Sequence, residues 1–241
     1  EVNISNVDVV GEYAFMDCEE LSRVDATNTT VIGYAAFSND KKLAKVIATN
    51  LNRIEEMGFY GCEILDAINL SKVEFIGKYA FENCTILTEI DLSNIKTIEE
   101  GAFMNTGLVT VHNLEKSSLV TIPLYCFYHE NLTEEGSLLA NINLSKVEKI
   151  EEAAFYGCYS LVNVDLSSVK TVDNYAFYGS MINKVDIPNA TDVGDFAFYA
   201  VQARTINIPS LVNVGECAFA ETLASKVDLP ATLKTIKYGA F

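Results

Sequence analysis

The sequence predicts one β-rich solenoid over residues 1–241, about ten and a half coils of roughly 22 residues each. Three observations predict it. A phenylalanine after a small residue recurs at Phe15, Phe37, Phe59, Phe81, Phe103, Phe127, Phe155, Phe177, Phe198, Phe219 and Phe241. The intervals are 22, 22, 22, 22, 24, 28, 22, 21, 21 and 22, and only Phe75 and Phe196 stand outside the series. Five residues before each of these rings stands an isoleucine or valine, from Val10 and Ile32 to Val214 and Ile236. Between rings, an alternating triplet returns, as "IDL" at 90–92, "VDL" at 164–166 and "VDI" at 185–187. A unit this short cannot bury two or three apolar faces alone, and stacking its copies does so.

Each element of the coil follows from its residues. The triplet alternates apolar and polar with β-branched residues, which makes a strand with one buried face. Within it Ile90 and Leu92 point inward, so Glu89 and Asp91 point outward. The next residues, such as "SNIKT" at 93–97, mix turn formers around one apolar anchor. Then come Ile/Val and, five positions on, Ala-Phe. Alanine precedes the ring in all but two coils, where Gly58 and Cys126 replace it. A tight bend there leaves no room for more. With coils spaced by about 4.8 Å, the phenylalanines become a continuous aromatic spine. Cys18, Cys62, Cys84 and Cys158 share the position three residues after the ring. They read either as buried thiols acting as small hydrophobes or, for Cys62 with Cys84 in adjacent coils, as a disulfide staple.

These residues carry a family resemblance. "IGKYAFENC" (76–84), followed by Leu87 and the Ile90 triplet, resembles the BspA-like class of leucine-rich repeat, and "VDIPNATDVGDFAF" (185–198) and "VDLPATLKTIKYGAF" (227–241) resemble its proline-bearing form. The resemblance spans the chain as a single domain, with irregular coils and an insertion within 103–155, where "HNLEKSSLVTIPLYCF" departs from the pattern. It implies a right-handed leucine-rich-repeat solenoid of the α/β horseshoe superclass, β-rich, with a parallel sheet and short helical turns. It also implies a protein that is secreted or attached to a bacterial or protist surface, some relatives being adhesins for host matrix proteins.

Composition narrows the function classes. The net charge of −16 repels nucleic acid and anionic membrane. There is no apolar run of eighteen residues to span a bilayer. "EVNISNVDVV" has neither a starting Met nor a basic and then apolar leader, so either a processed chain or an excised piece of a longer one is expected. Catalysis is not expected. The two histidines, His112 and His129, do not recur beside a serine or cysteine in a matched pair, there is no Cys-x-x-Cys, and repetition gives the carboxylates near-identical environments. No cofactor or metal is expected.

Binding is expected on the outward sheet face, in two rows that include Asp91, Asn143, Asp165, Asp186, Asn207 and Asp228 in one, and Asn163, Lys184 and Lys226 in the other. Such a face serves either as a soluble, charge-balanced surface that keeps strands paired or as a flat hydrogen-bonding platform for a protein or glycan. A second candidate is the tyrosine row just after the ring, with Tyr156, Tyr178 and Tyr199, which suits an interface or a half-buried edge. A third is the insertion at 128–139, six residues longer than a regular coil (28 minus 22).

The sequence therefore reads as a non-enzymatic surface or secreted binding module for a protein or glycan, a host matrix protein among the ligands the resemblance implies. The alternative is an intracellular scaffold or a spacer displaying another domain. The chain opens on a strand and closes on a ladder ring without a polar cap, so end-to-end self-association or fraying is expected.

Overall fold

The computed structural model describes residues 1–131 and 136–241, so part of the insertion at 128–139 lies outside the described residues. The chain is a parallel β-solenoid of about ten coils of ~22 residues with almost no helix. It divides into two compact units, Glu1–Ser118 and Leu119–Phe241.

In the first unit the triplets form the expected sheet. Val2–Asn3, Arg23–Asp25 and Lys45–Ile47 pair in parallel, Val2 opposite Val24 and Val24 opposite Val46, and Glu89–Asp91 pairs with Thr110–His112. A second parallel sheet is built on the isoleucine position, from Val9–Val10 through Val31–Ile32, Arg53–Ile54 and Phe75–Ile76 to Thr97–Ile98. In the second unit this ladder runs through six strands, Thr121–Ile122, Lys149–Ile150, Thr171–Val172, Asp192–Val193, Asn213–Val214 and Thr235–Ile236. Its triplet sheet pairs Lys184–Asp186 with Thr205–Asn207.

Three triplets depart from the expected strand. The triplet at 68–70 is preceded by one bridging pair, Lys45 with Ala67, and those at 164–166 and 227–229 carry no strand. The loop from ring to triplet is one residue shorter after Phe177 than after Phe155. In the last coil Leu229 is 52% exposed where burial was expected.

The spine is as the spacing requires. Eight of its rings, from Phe37 to Phe219, are fully buried, and within each unit neighbours stack at 5.1 to 5.5 Å between centroids.

The segment that carries the rings is not helical, and the lone 3-10 turn among the described residues is Leu114–Lys116. The reason is conformational. The residue two before every spine ring is left-handed, from Tyr13 (φ 55°) through Tyr125 (φ 55°) and Phe196 (φ 57°) to Gly239 (φ 60°). So is the residue two after most rings, as at Asp17, Asn39, Gly61 and Asn83. A left-handed residue costs an L side chain about 1–2 kcal/mol, and no α-helix tolerates two of them four residues apart. The gain is in hydrogen bonding. Tyr13, Phe15 and Asp17 donate their N–H groups to Tyr34, Ala36 and Ser38 of the next coil at 2.8 to 2.9 Å. Ala14, Met16 and Cys18 close turns onto Gly11, Tyr13 and Phe15 of their own coil. Every donor in the bend is thereby satisfied.

Candidate functional site

The outward Asp/Asn row has a local task that the sequence motif explains. In six coils its side-chain oxygen accepts the N–H of the residue two positions on: Asn3 from Ser5, Asp25 from Thr27, Asn69 from Ser71, Asp91 from Ser93, Asn143 from Ser145 and Asp165 from Ser167, at 2.9 to 3.2 Å. These are Asx turns, which end the strand and start the corner. Asp91, in the first unit, also accepts Asn113 Nδ2 at 2.8 Å. Partial burial pushes its carboxyl up, but Ser93 and Asn113 outweigh that and hold it below the usual carboxylate range. The Ser167 hydroxyl and N–H do the same for Asp165.

Where the second residue on is proline there is no N–H to accept. That is the case after Asp186, Asn207 and Asp228, followed by Pro188, Pro209 and Pro230. Their side chains turn to the face instead. Asn207 Nδ2 donates to Asp186 Oδ1 at 2.8 Å, Lys184 pairs with Asp186, and Lys226 pairs with Asp228 at 2.7 Å. Lys184, then Asn207, holds the Asp186 carboxyl below its ordinary range. Asn163 accepts Asn183 Nδ2 at 3.1 Å beside them. Asn163, Asp165, Ser167, Asn183, Lys184 and Asp186 line a shallow depression of about 370 Å³. The structure thus brings together the predicted residues 163 to 207, sets Lys226 and Asp228 in the last coil, and places Asp91 in the other unit.

The tyrosine row is a stack. Tyr128, Tyr156, Tyr178 and Tyr199 lie ring on ring at 4.9 to 5.0 Å, all half-buried. Beside them runs a second aromatic row that the sequence reading missed, two residues before the spine ring. Tyr125 meets Tyr128 edge-on at 5.5 Å, and Tyr175 stacks on Phe196 at 5.2 Å. The signal was present in the recurring Tyr-Ala-Phe. Because the rings cover one another's faces, they offer solvent their edges and hydroxyls.

The cysteines are free thiols, and Cys62, Cys84 and Cys158 are fully buried. Their Sγ atoms donate to the carbonyls of Phe37, Phe59 and Phe127 at 3.0 to 3.3 Å. Burial pushes the Cys158 thiol up to about 12 and the other two upward as well. Cys18 is only half-buried.

A second depression of about 370 Å³ in this unit holds Asp173, Asp192 and Asp195, but Lys149, Asn213 and Lys237 already engage them at 2.6 to 3.3 Å. Among the described residues no group of three or more His, Cys, Asp or Glu is placed to hold a metal ion, and no helix is long and apolar enough to cross a membrane.

A family model described as a BspA type leucine rich repeat region, in six copies, matches residues 8–134 and 121–241. Nothing among curated proteins matches the chain. Among solved structures it is similar to a leucine rich cell surface protein of Faecalibacterium prausnitzii, at 17% identity over 97% of this chain and 74% of that one, TM-score 0.48. A leucine-rich repeat protein of Bacteroides ovatus matches at 20% identity over 97% and 73%, TM-score 0.46. One of T. pallidum matches at 19% over 89% and 70%, TM-score 0.36.

Proposed function

The chain belongs to the BspA type leucine rich repeat family, a family of protein-interaction or surface repeat modules, and on that premise we propose that it is a non-enzymatic module, secreted or held at a cell surface, that binds a protein through the exposed sheet face of residues 119–241. One observation carries this. In the proline-bearing coils Asp186, Asn207 and Asp228 are released from the Asx turns that occupy their counterparts at Asn143 and Asp165. With Lys184 and Lys226 they form a row of both signs beside the shallow depression at Asn163 and Asp165, which suits a broad polar interface. A glycan is the weaker ligand class, because a sugar ring stacks on an open aromatic face and these tyrosines cover one another's faces.

The test is an array of extracellular proteins and glycans probed with the purified chain. The same array is probed with a D186A/N207A/D228A variant and with a Lys146→Ala control away from that row. A bound protein whose affinity falls at least tenfold in the triple variant supports the assignment. A chain that binds nothing fits the spacer alternative, and equal binding by the triple variant removes the sheet face from the proposal.

A further inference from the structure

The row of thiols contains a residue of another kind. Asp40 stands three residues after Phe37, the position that Cys18, Cys62 and Cys84 hold in neighbouring coils of the first unit. It is fully buried, with 0% of its surface exposed. Its Oδ1 accepts the Cys18 N–H at 2.7 Å, and its Oδ2 has no hydrogen-bond partner. A buried carboxylate oxygen without a donor is among the costliest groups a fold can hold.

The neighbours give no relief. From the preceding coil Asp17 adds negative charge and Cys18 a half-buried thiol, and from the following coil comes the buried Cys62 thiol. The adjacent cations turn outward, Lys41 to Glu63 at 2.9 Å and Lys42 to Glu20 at 2.6 Å. In the coils that follow, this position donates: the Cys62 and Cys84 thiols each donate a hydrogen bond to the carbonyl of the ring one coil back. A neutral Asp40 has an O–H to donate in the same way, and a carboxylate has none.

We propose that Asp40 is a proton-controlled latch on the first coils of the chain, holding the coils of Phe15 and Phe37 packed while neutral and loosening them when ionised. Burial pushes its carboxyl up, the Cys18 N–H draws it down, Asp17 raises it again, and the balance stands at about 7. The sign follows by linkage. The folded group is raised above its ordinary value of 3.8, so the stability it confers is complete below that value and is lost as pH rises to about 7.

The direct test is hydrogen exchange on peptides spanning residues 14–40, corrected for the intrinsic pH dependence of exchange, in the parent, Asp40→Asn and Asp40→Cys. In the parent the opening constant should rise about tenfold per pH unit below the midpoint, about fiftyfold from pH 5 to pH 7, and level off above. Both variants should lack that rise, Asp40→Cys because it restores the thiol of the flanking coils. A parent slope equal to that of either variant overturns the proposal. Should neither variant fold, the carboxyl carbon shift of Asp40 in the parent decides, since a titration midpoint below pH 5 overturns it as well.

Discussion

Replacing Phe81 by alanine tests the stacked spine where it is most regular. The ring is fully buried and lies 5.4 Å from Phe59 and 5.4 Å from Phe103, with interplanar angles of 14° and 5°. Removing a buried phenylalanine costs about 3–5 kcal/mol, part of it from two ring contacts of about 0.5–1.5 kcal/mol each. The backbone bond from Phe81 to Ala102 survives the substitution, so the loss reports side-chain stacking. Phe241 is the internal comparison. It is 46% exposed and stacks on Phe219 alone, at 5.5 Å, so Phe241→Ala should cost only about 1 kcal/mol. Urea unfolding followed by circular dichroism measures both. Slopes must be compared as well as midpoints, since a repeat array loses two-state behaviour when one interface weakens. If Phe81→Ala shifts the midpoint no more than Phe241→Ala or a surface Lys96→Ala, the spine does not hold the coils together.

Two further outcomes follow from close contacts and burial. A Cβ added at Gly215 would lie 2.3 Å from the Gly194 carbonyl carbon and 2.4 Å from the Asp195 nitrogen, whereas one at Gly11 meets nothing within 4 Å. Gly215→Ala should therefore destabilise by about 1–3 kcal/mol and Gly11→Ala by much less, and equal melting shifts would contradict that spacing of the coils. In the native protein a thiol reagent should reach the half-buried Cys18 and Cys217 first, and Cys62, Cys84 and Cys158 only as coils open; one common labelling phase would count against the buried row.

Much of the coil was legible because repetition multiplies weak signals. One Ala-Phe says little, but eleven rings in near-constant step determine which side chains face inward, and all but the terminal rings are buried or nearly so. The second sheet was harder to see. Its strands are two residues long, too short for an alternation of apolar and polar to register. The left-handed bends left a trace, since Asp17, Asn39, Gly61, Asn83 and Asn105 are residues that tolerate positive φ, yet Tyr79 and Phe196 adopt it against type. Asp40 was legible only as an exception: a charge in a row of thiols becomes informative once burial and the missing partner are known.

The outward row shows how one neighbour decides what a repeated residue can do. Asp165 and Asp186 occupy the same place in successive coils, each between two apolar residues of a triplet. Ser167 supplies an N–H that draws Asp165 into its own corner at 3.0 Å. Pro188 supplies none, and its fixed φ shapes the corner without help from a side chain. The carboxylate of Asp186 is then left to Lys184 and to Asn207 of the next coil. A row that looks uniform in sequence is therefore two rows in structure. One, from Asn3 to Asp165, terminates strands, and in the other, from Asp186 to Asp228, the side chains pair with lysines and with each other across the face.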